Sequence, residues 1–276
     1  MRRPDPAGPD SPTGRARSGP DAVDPGAAGP AAELLRVRRP AAPELRLFVL
    51  HHAGGSHVGY RPWAPLLPPE WEVCLVEAPG RIGRSGPPCR TADELAGALL
   101  RGLSGELDRP YALFGHSMGA IAAYELTHAL HRRGLPLPEW LGLSGLAAPE
   151  HHPRRVSGFD LSDDDQLRSA VEAMGGTPRA ILDDPEFWPL LAPVLRADFG
   201  LVECWRPDLD REPLPVPLAV YGGERDEVTP PGLLPGWAAR TTRFLGTRLL
   251  PGAHFYFQPA PTPLLRLVVE DVRAAR

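Results

Sequence analysis

The sequence predicts an α/β fold, a mostly parallel central sheet flanked by helices on both faces, with a helical insertion over one end. Three observations carry this expectation. Short apolar runs recur at "LRLFVL", "WEVCLVE", "YALFG", "LGLSGL", "PLAVYGG" and "TRLLPG", each of strand length and apolar on both faces, as buried parallel strands are. Longer stretches of helical pattern alternate with them, at "TADELAGALLRGLSGEL", "MGAIAAYELTHALHRRG" and "PTPLLRLVVEDVRAAR", and this alternation suits a sheet covered on both sides. Residues 157–205 break the alternation with three short helix-like segments, a Gly-Gly-Thr-Pro interruption and no strand pattern. That segment is expected to be a helical lid inserted between two strands.

A chain of 276 residues with 42% hydrophobic content can bury one large core, so one domain is expected over residues 33–276. Residues 1–32 are Pro, Gly, Ala, Asp and Arg with almost no large apolar side chain. They cannot offset their ordering entropy by burial and are expected to form a disordered tail. The net charge of −4 comes from 34 acidic and 30 basic residues spread along the chain, without a basic block that would track a phosphate backbone, so nucleic acid is not an expected partner. Cys74, Cys89 and Cys204 are odd in number and far apart, which does not suit a disulfide framework. Neither an apolar secretory core near the N-terminus nor a window of about 18 apolar residues is present, so a cytoplasmic protein with no membrane association is expected.

The stretch "YALFGHSMGAIAAYEL" opens as a buried strand, turns over at Gly115-His116-Ser117-Met118-Gly119 and continues as an Ala-rich helix. So abrupt a reversal needs glycine on both sides, because a side chain at position 115 or 119 would strike neighbouring backbone. The turn lifts Ser117 clear of the C-terminal edge of the sheet, which is the place of a nucleophile. A serine hydroxyl is weakly nucleophilic at neutral pH and needs a base within reach and an acid to fix that base's tautomer. In this strand–turn–helix arrangement the acid and then the histidine follow in loops after later strands. The loop after "PLAVYGG" offers Glu224, Asp226 and Glu227. Asp226, by its offset from the strand end, is the expected acid, and the two glutamates are expected to be solvated. The loop after "TRLLPG" offers His254 alone. Ser144 and Gly145 stand where another acid is common after the preceding strand, so that position is vacant.

An acyl-transfer intermediate also needs two backbone N–H donors for its oxyanion. Met118, at the first helical position, supplies one with the helix dipole behind it. The loop "HHAGGS" after the first apolar run supplies the second, for which Ala53 is the expected donor, since Gly54 and Gly55 let the main chain come close to a ligand. The same loop lacks the Lys and the spacing of a phosphate loop. His51 and His52 can support it, and His116 is expected to pack behind the serine. His151 and His152 form a pair without Cys, Asp or Glu at ligand spacing, so no metal is expected.

With these residues in place, "FVLHHAGGSHVGYRPW", "VEAPGRIGR", "YALFGHSMGAIAAYEL", "LSGLAAPEHHPRR", "MGGTPRAIL", "PVLRADFGLVECW", "YGGERDEVTP" and "LPGAHFYF" resemble, in order, the motifs of bacterial type II thioesterases. These are stand-alone α/β-hydrolases that accompany polyketide synthases and nonribosomal peptide synthetases. The likeness runs from about residue 34 to the C-terminus. It implies Ser117 as nucleophile, Asp226 as acid, His254 as base and Ala53 as oxyanion donor, the same residues reached above. Two positions depart from the family pattern: His51 replaces the usual proline before the H-A-G-G-S motif, and Glu77-Ala78 replaces the usual glutamine or leucine before P-G-R.

The resemblance further implies the substrate: acyl groups held as thioesters on the phosphopantetheine arm of an acyl or peptidyl carrier protein. It implies removal of aberrant or stalled groups. No cofactor is expected, and a monomer is the default expectation. The 157–205 segment then becomes the lid over the acyl channel. Phe187, Trp188, Leu190, Leu191, Val194 and Leu195 either face the acyl chain or form the lid's own core. A product-releasing thioesterase, a general carboxylesterase and a non-catalytic docking module share much of this pattern.

Overall fold

The computed structural model describes residues 29–81, 83, 86–152, 161–258 and 260–276. Seven strands form one sheet: β1 (Glu33–Arg38), β2 (Leu45–Leu50), β3 (Trp71–Glu77), β4 (Tyr111–His116), β5 (Trp140–Ser144), β6 (Leu214–Gly223) and β7 (Thr241–Leu250). Their spatial order is β1-β3-β2-β4-β5-β6-β7, with β1 antiparallel to β3 and every other neighbouring pair parallel. The six apolar runs are all strands. The seventh, β1, lies at the edge of the sheet in the half-buried stretch "ELLRVR", where polar and apolar residues mix and no apolar run announces it.

Period-two alternation sends each strand's side chains to two separate cores. From β2, Phe48 and Leu50 join the core beneath α1 (Ala92–Leu103) and α2 (Met118–Arg132). Leu45, Leu47 and Val49 join the core on the other face, where the C-terminal helix Thr262–Ala275 packs beside a 3-10 segment carrying Tyr60 and Trp63. α1 starts where its sequence says it should: the Thr91 hydroxyl accepts the Glu94 amide at 3.1 Å, and Glu94 accepts the Arg90 amide at 2.7 Å. The Thr91 hydroxyl satisfies an amide that the first helical turn leaves without a partner, and Glu94 ties in the backbone just before the cap.

The described part of the insertion folds into three helices, α3 (Asp164–Met174), α4 (Arg179–Leu182) and α5 (Trp188–Cys204). The last is longer than its sequence pattern suggests, with Pro193 inside it. These helices share a small core of their own around Leu167, Val171, Leu182, Trp188, Leu191, Leu195 and Phe199, against which Ala53 packs. The C-terminal helix of the chain is α6 (Thr262–Ala275). Of the expected tail, residues 1–28 lie outside the described residues. Its last described residues pack on the domain, with the Ala32 amide donating to the Ala98 carbonyl at 2.9 Å. Because the strands from β2 to β7 run parallel, their C-terminal ends share one edge. The loops after β2, β4, β6 and β7 therefore meet there, as ligand-binding loops do in open α/β sheets.

Candidate active site

Ser117 joins β4 to α2 with φ 55° and ψ −116°, the one non-glycine residue with positive φ among the described residues. Its glycine neighbours are sterically required. A Cβ on Gly115 would lie 2.0 Å from the Gly119 carbonyl oxygen, and one on Gly119 would lie 2.3 Å from that of Leu50. The Ser117 amide donates to the Ser144 carbonyl at 2.8 Å, so the neighbouring strand holds the turn in place. The hydroxyl does not cap α2 and is left to the open edge of the sheet.

Asp226 and His254 are brought together. His254 Nδ1 donates to Asp226 Oδ2 at 2.9 Å, and both residues are buried. The other carboxylate oxygen, Oδ1, accepts the amides of Val228 and Thr229 at 2.9 Å each. Four acceptor directions are thus divided so that one oxygen fixes the loop and the other fixes the imidazole. Since a carboxylate only accepts, Nδ1 carries the proton and Nε2 is left with its lone pair. The two loops are zipped to one another by the Glu224 amide on Leu250 and the Arg225 amide on Gly252, both at 2.9 Å. A Cβ on Gly223 would meet the Ala253 carbonyl at 2.3 Å, which explains the Gly-Gly ending of β6. Glu224 and Glu227 are exposed, as expected of them.

The His254 ring lies 4.8 Å from that of His116, the residue before Ser117. Among the described residues, His254's side-chain hydrogen-bond partner is Asp226, and catalytic hydrogen bonds to a nucleophile can tighten only once substrate is bound. His116 packs behind the pair. Its Nδ1 bonds the Ser144 hydroxyl at 2.8 Å, which in turn bonds the Tyr256 hydroxyl at 2.6 Å. Burial, with His254 second, holds its pKa well below the usual histidine value, so an uncharged ring faces His254. Ser144, at the position where an alternative acid is absent, thereby serves the loop that carries His254.

The 52–55 loop has its peptide groups assigned one by one. The Gly55 amide donates to the His52 carbonyl at 3.0 Å, and the Gly54 amide donates to Asp198 Oδ2 at 2.8 Å. The Ala53 amide between His52 and Gly54 is taken up by no group among the described residues. Met118, as the first residue of α2, likewise has no intrahelical acceptor for its N–H. His51 closes the base of this loop: its Nδ1 donates to the His52 carbonyl at 2.9 Å while its Nε2 accepts the Ala78 amide at 3.2 Å. The two departures from the family pattern, at 51 and 78, are therefore one contact. Burial lowers the pKa of both loop histidines, that of His51 well below the usual value and that of His52 to about 3.

A cavity of about 820 Å³ opens between this loop, the strand end at Glu77 and the lid, large enough for a small to medium ligand. Ile181, Phe187, Leu191 and Val194 form its apolar wall. Glu77 and His57 form a polar end, where the His57 ring bonds Glu77 and the His57 amide donates to the same oxygen at 2.9 Å. The cavity meets the serine edge at His52 and Gly54; Ser117 is not part of its wall. Of the six lid residues singled out, Phe187, Leu191 and Val194 line the cavity, Trp188 and Leu195 sit in the lid's own core, and Leu190 is exposed.

A family model described as a thioesterase domain matches residues 45–270. The chain belongs to the thioesterase family. The gramicidin S biosynthesis protein GrsT of Aneurinibacillus migulanus is 29% identical to this thioesterase over 84% of its chain and 91% of GrsT. Among solved structures, the type II thioesterase BorB from the borrelidin biosynthetic cluster superposes with TM-score 0.77 at 29% identity, covering 87% of this chain and 98% of BorB. RedJ, a thioesterase of the prodiginine pathway in Streptomyces coelicolor, gives TM-score 0.75 at 33% identity, covering 89% and 90%. The fold is that of the α/β-hydrolases, and the protein is a hydrolase acting on thioesters, akin to the type II enzymes of polyketide and nonribosomal peptide pathways.

Within this thioesterase Arg81 and Asp198, 117 residues apart, sit inside the motifs "VEAPGRIGR" and "PVLRADFGLVECW", and Ser144 and Tyr256 inside "LSGLAAPEHHPRR" and "LPGAHFYF". Yet no local pattern assigns them a role: their pairing depends on side chains that only the tertiary fold brings together. His152, from the pair set aside as a metal site, donates to the Val202 carbonyl at 2.8 Å and packs on Trp205, tying the end of the lid to the domain.

Proposed function

We propose that this thioesterase clears acyl groups from the phosphopantetheine arm of carrier proteins, with Ser117 as nucleophile, His254 as general base, Asp226 as its orienting acid and the Ala53 and Met118 amides as oxyanion donors. The observation that carries it is the His254–Asp226 hydrogen bond of 2.9 Å beside the strained serine turn, with two uncommitted amides on the same edge. Ser117 Oγ attacks the thioester carbonyl while His254 Nε2 takes its proton. The Oγ–C bond forms, and the carbonyl electrons collect on an oxygen held by the two amides. Collapse breaks the C–S bond, and the imidazolium returns the proton to the departing thiolate. Water then repeats the sequence on the acyl-serine, with His254 again as base, and releases a carboxylic acid.

Each step uses side chains, amides and water, so the reaction as proposed requires no cofactor. The biosynthetic names of the relatives support the carrier-protein substrate and the editing role. Three free cysteines support a reducing, cytoplasmic setting, and no described helix is long and apolar enough to cross a membrane.

The deciding experiment loads a carrier protein with acetyl or propionyl groups and follows free thiol with the wild type and with Ser117→Ala. Release by the wild type and a loss of about 10⁴-fold or more in the variant is the expected result. Retention of the acyl group alongside intact hydrolysis of simple oxygen esters overturns the carrier-protein reading in favour of a carboxylesterase.

A further inference from the structure

The lid helix reaches past the cavity and touches the loop that carries the Ala53 amide. Asp198 projects from α5 into a buried site where its Oδ2 accepts both the Gly54 amide at 2.8 Å and the Arg81 guanidinium at 2.6 Å. Arg81 also donates through Nε to the Gly55 carbonyl at 3.2 Å and through a terminal nitrogen to the Pro79 carbonyl at 3.2 Å. The side chains of Arg81 and Asp198 are 5% and 3% exposed. One turn earlier on α5, Leu195 packs so closely on Gly54, at φ 69°, that a Cβ there would lie 2.3 Å from its Cδ2.

We propose that Arg81 and Asp198 are positioning residues that form a latch between lid and oxyanion loop, so that the Ala53 amide is aimed at the reacting carbonyl only while α5 is seated. This rests on the proposed role of Ala53. The reasoning is one of hydrogen-bond accounting. Three consecutive amides leave the loop at 53, 54 and 55. The Gly55 amide is spent within the loop on the His52 carbonyl, and the Gly54 amide is spent on the lid through Asp198. Fixing the N–H of Gly54 fixes the plane of the Ala53–Gly54 peptide, and Arg81 fixes the Gly55 carbonyl further along. The Ala53 amide shares its own peptide plane with the His52 carbonyl, which accepts the Gly55 amide and the His51 ring, and so lies between that anchored carbonyl and the peptide clamped by α5. Moving α5 away removes the acceptor of Gly54 and leaves Arg81 buried without its counter-charge, a costly state that favours rearrangement of the loop. Lid opening would therefore both unblock the cavity and disassemble the oxyanion site, so that hydrolysis is confined to the closed state.

Three variants separate this from a purely structural role. Asp198→Ala removes both acceptor contacts. Asp198→Asn keeps an oxygen that can accept the Gly54 amide. The double variant Arg81→Met/Asp198→Leu replaces the buried ion pair by apolar bulk, an exchange that restores stability in other proteins, yet leaves the Gly54 amide without an acceptor. For each, thermal unfolding, kcat and KM on a short acyl carrier protein are measured. Affinity is also measured for a trifluoromethyl ketone analogue, whose tetrahedral adduct needs the oxyanion donors, and for an inert acyl amide, which does not.

The expected result for Asp198→Ala is a fall of about 100-fold in kcat with KM within about threefold. Affinity for the ketone should fall in parallel, with the amide unaffected. The double variant is expected to regain unfolding temperature without regaining kcat, and Asp198→Asn to recover most of kcat. Recovery of kcat together with stability in the double variant overturns the latch, as does wild-type kcat in a folded Asp198→Ala. Failure of the underlying reading looks different: Ser117→Ala would then retain turnover, whereas failure of the latch alone leaves Ser117→Ala inactive and the Asp198 variants active.

Discussion

Ser117 is held at φ 55°, a conformation that disfavours any residue with a Cβ, and the fold maintains it with the Ser144 carbonyl behind and two glycines beside it. Backbone strain of this kind is of order 1–3 kcal/mol, and here it raises the proposed nucleophile off the sheet. Glycine reaches the same dihedrals without that strain. Ser117→Gly is therefore expected to abolish hydrolysis and yet stabilise the protein by about 1 kcal/mol, a rise of about 2–4 °C in unfolding temperature for a domain of this size. Ser117→Ala, which loses the same hydroxyl but keeps a Cβ, should show no such gain. A calorimetric comparison of the two settles it, and equal unfolding temperatures would mean that the turn is not strained. These residues were legible in the sequence because each sits at a strand end with a local signature: a serine between glycines, an aspartate after Gly-Gly, a lone histidine after Pro-Gly. Ser144, Arg81 and Asp198 stand in recognisable motifs, but their roles were not legible because these depend on partners 28 to 117 residues away.

At the scale of elements, α5 serves two neighbours at once, the cavity and the 52–55 loop. Phe187, Leu191 and Val194 reach the cavity from its start and first turns, Leu195 packs on Gly54 and Asp198 holds the 52–55 loop. The cavity wall is thus the same helix that positions the proposed chemistry, and acyl length can be altered without touching the latch. Val194→Phe places a larger side chain in the apolar wall. It is expected to lower kcat/KM for an octanoyl carrier protein by about tenfold or more while leaving acetyl and propionyl turnover near wild type. A uniform loss across chain lengths would show that the cavity does not receive the acyl group. Five of the six strands were readable because they are buried from end to end or nearly so, and β7 by its apolar C-terminal end although most of it is half-buried or exposed. β1 is half-buried and gains its place by pairing with β3. The 3-10 segment His57–Leu66 contains Pro62 and Pro65, which hide any helical period, although its Tyr60 and Trp63 anchor a core and Tyr60 bonds His52 at 2.9 Å.

The whole molecule concentrates uncharged histidines in its interior. His51, His52 and His116 lie under the serine edge, and His128 lies on α2 against Tyr124. Desolvation is the main cause that lowers all four, with His52 and His128 pushed down to about 3. In the unfolded chain each titrates near 6.5. Below that pH the unfolded state binds protons that the folded state refuses, so folding stability is complete above about pH 6.5 and falls as the pH drops toward the folded-state values. The loss is about 1.4 kcal/mol per pH unit for each histidine once the unfolded chain is protonated. Denaturant unfolding at steps from pH 7.5 to pH 5 is expected to show this decline, with an uptake of about four protons from these histidines on unfolding at the acid end and a further contribution from His152, whose pKa burial also lowers. His128 makes the attribution specific, because its Nε2 has no hydrogen-bond partner among the described residues and it lies outside the proposed catalytic group. His128→Phe keeps the ring packing on Tyr124 and should reduce the proton uptake by about one. A pH dependence that this variant leaves unchanged would assign the acid sensitivity to the carboxylates instead, and would remove the interior histidines as its cause.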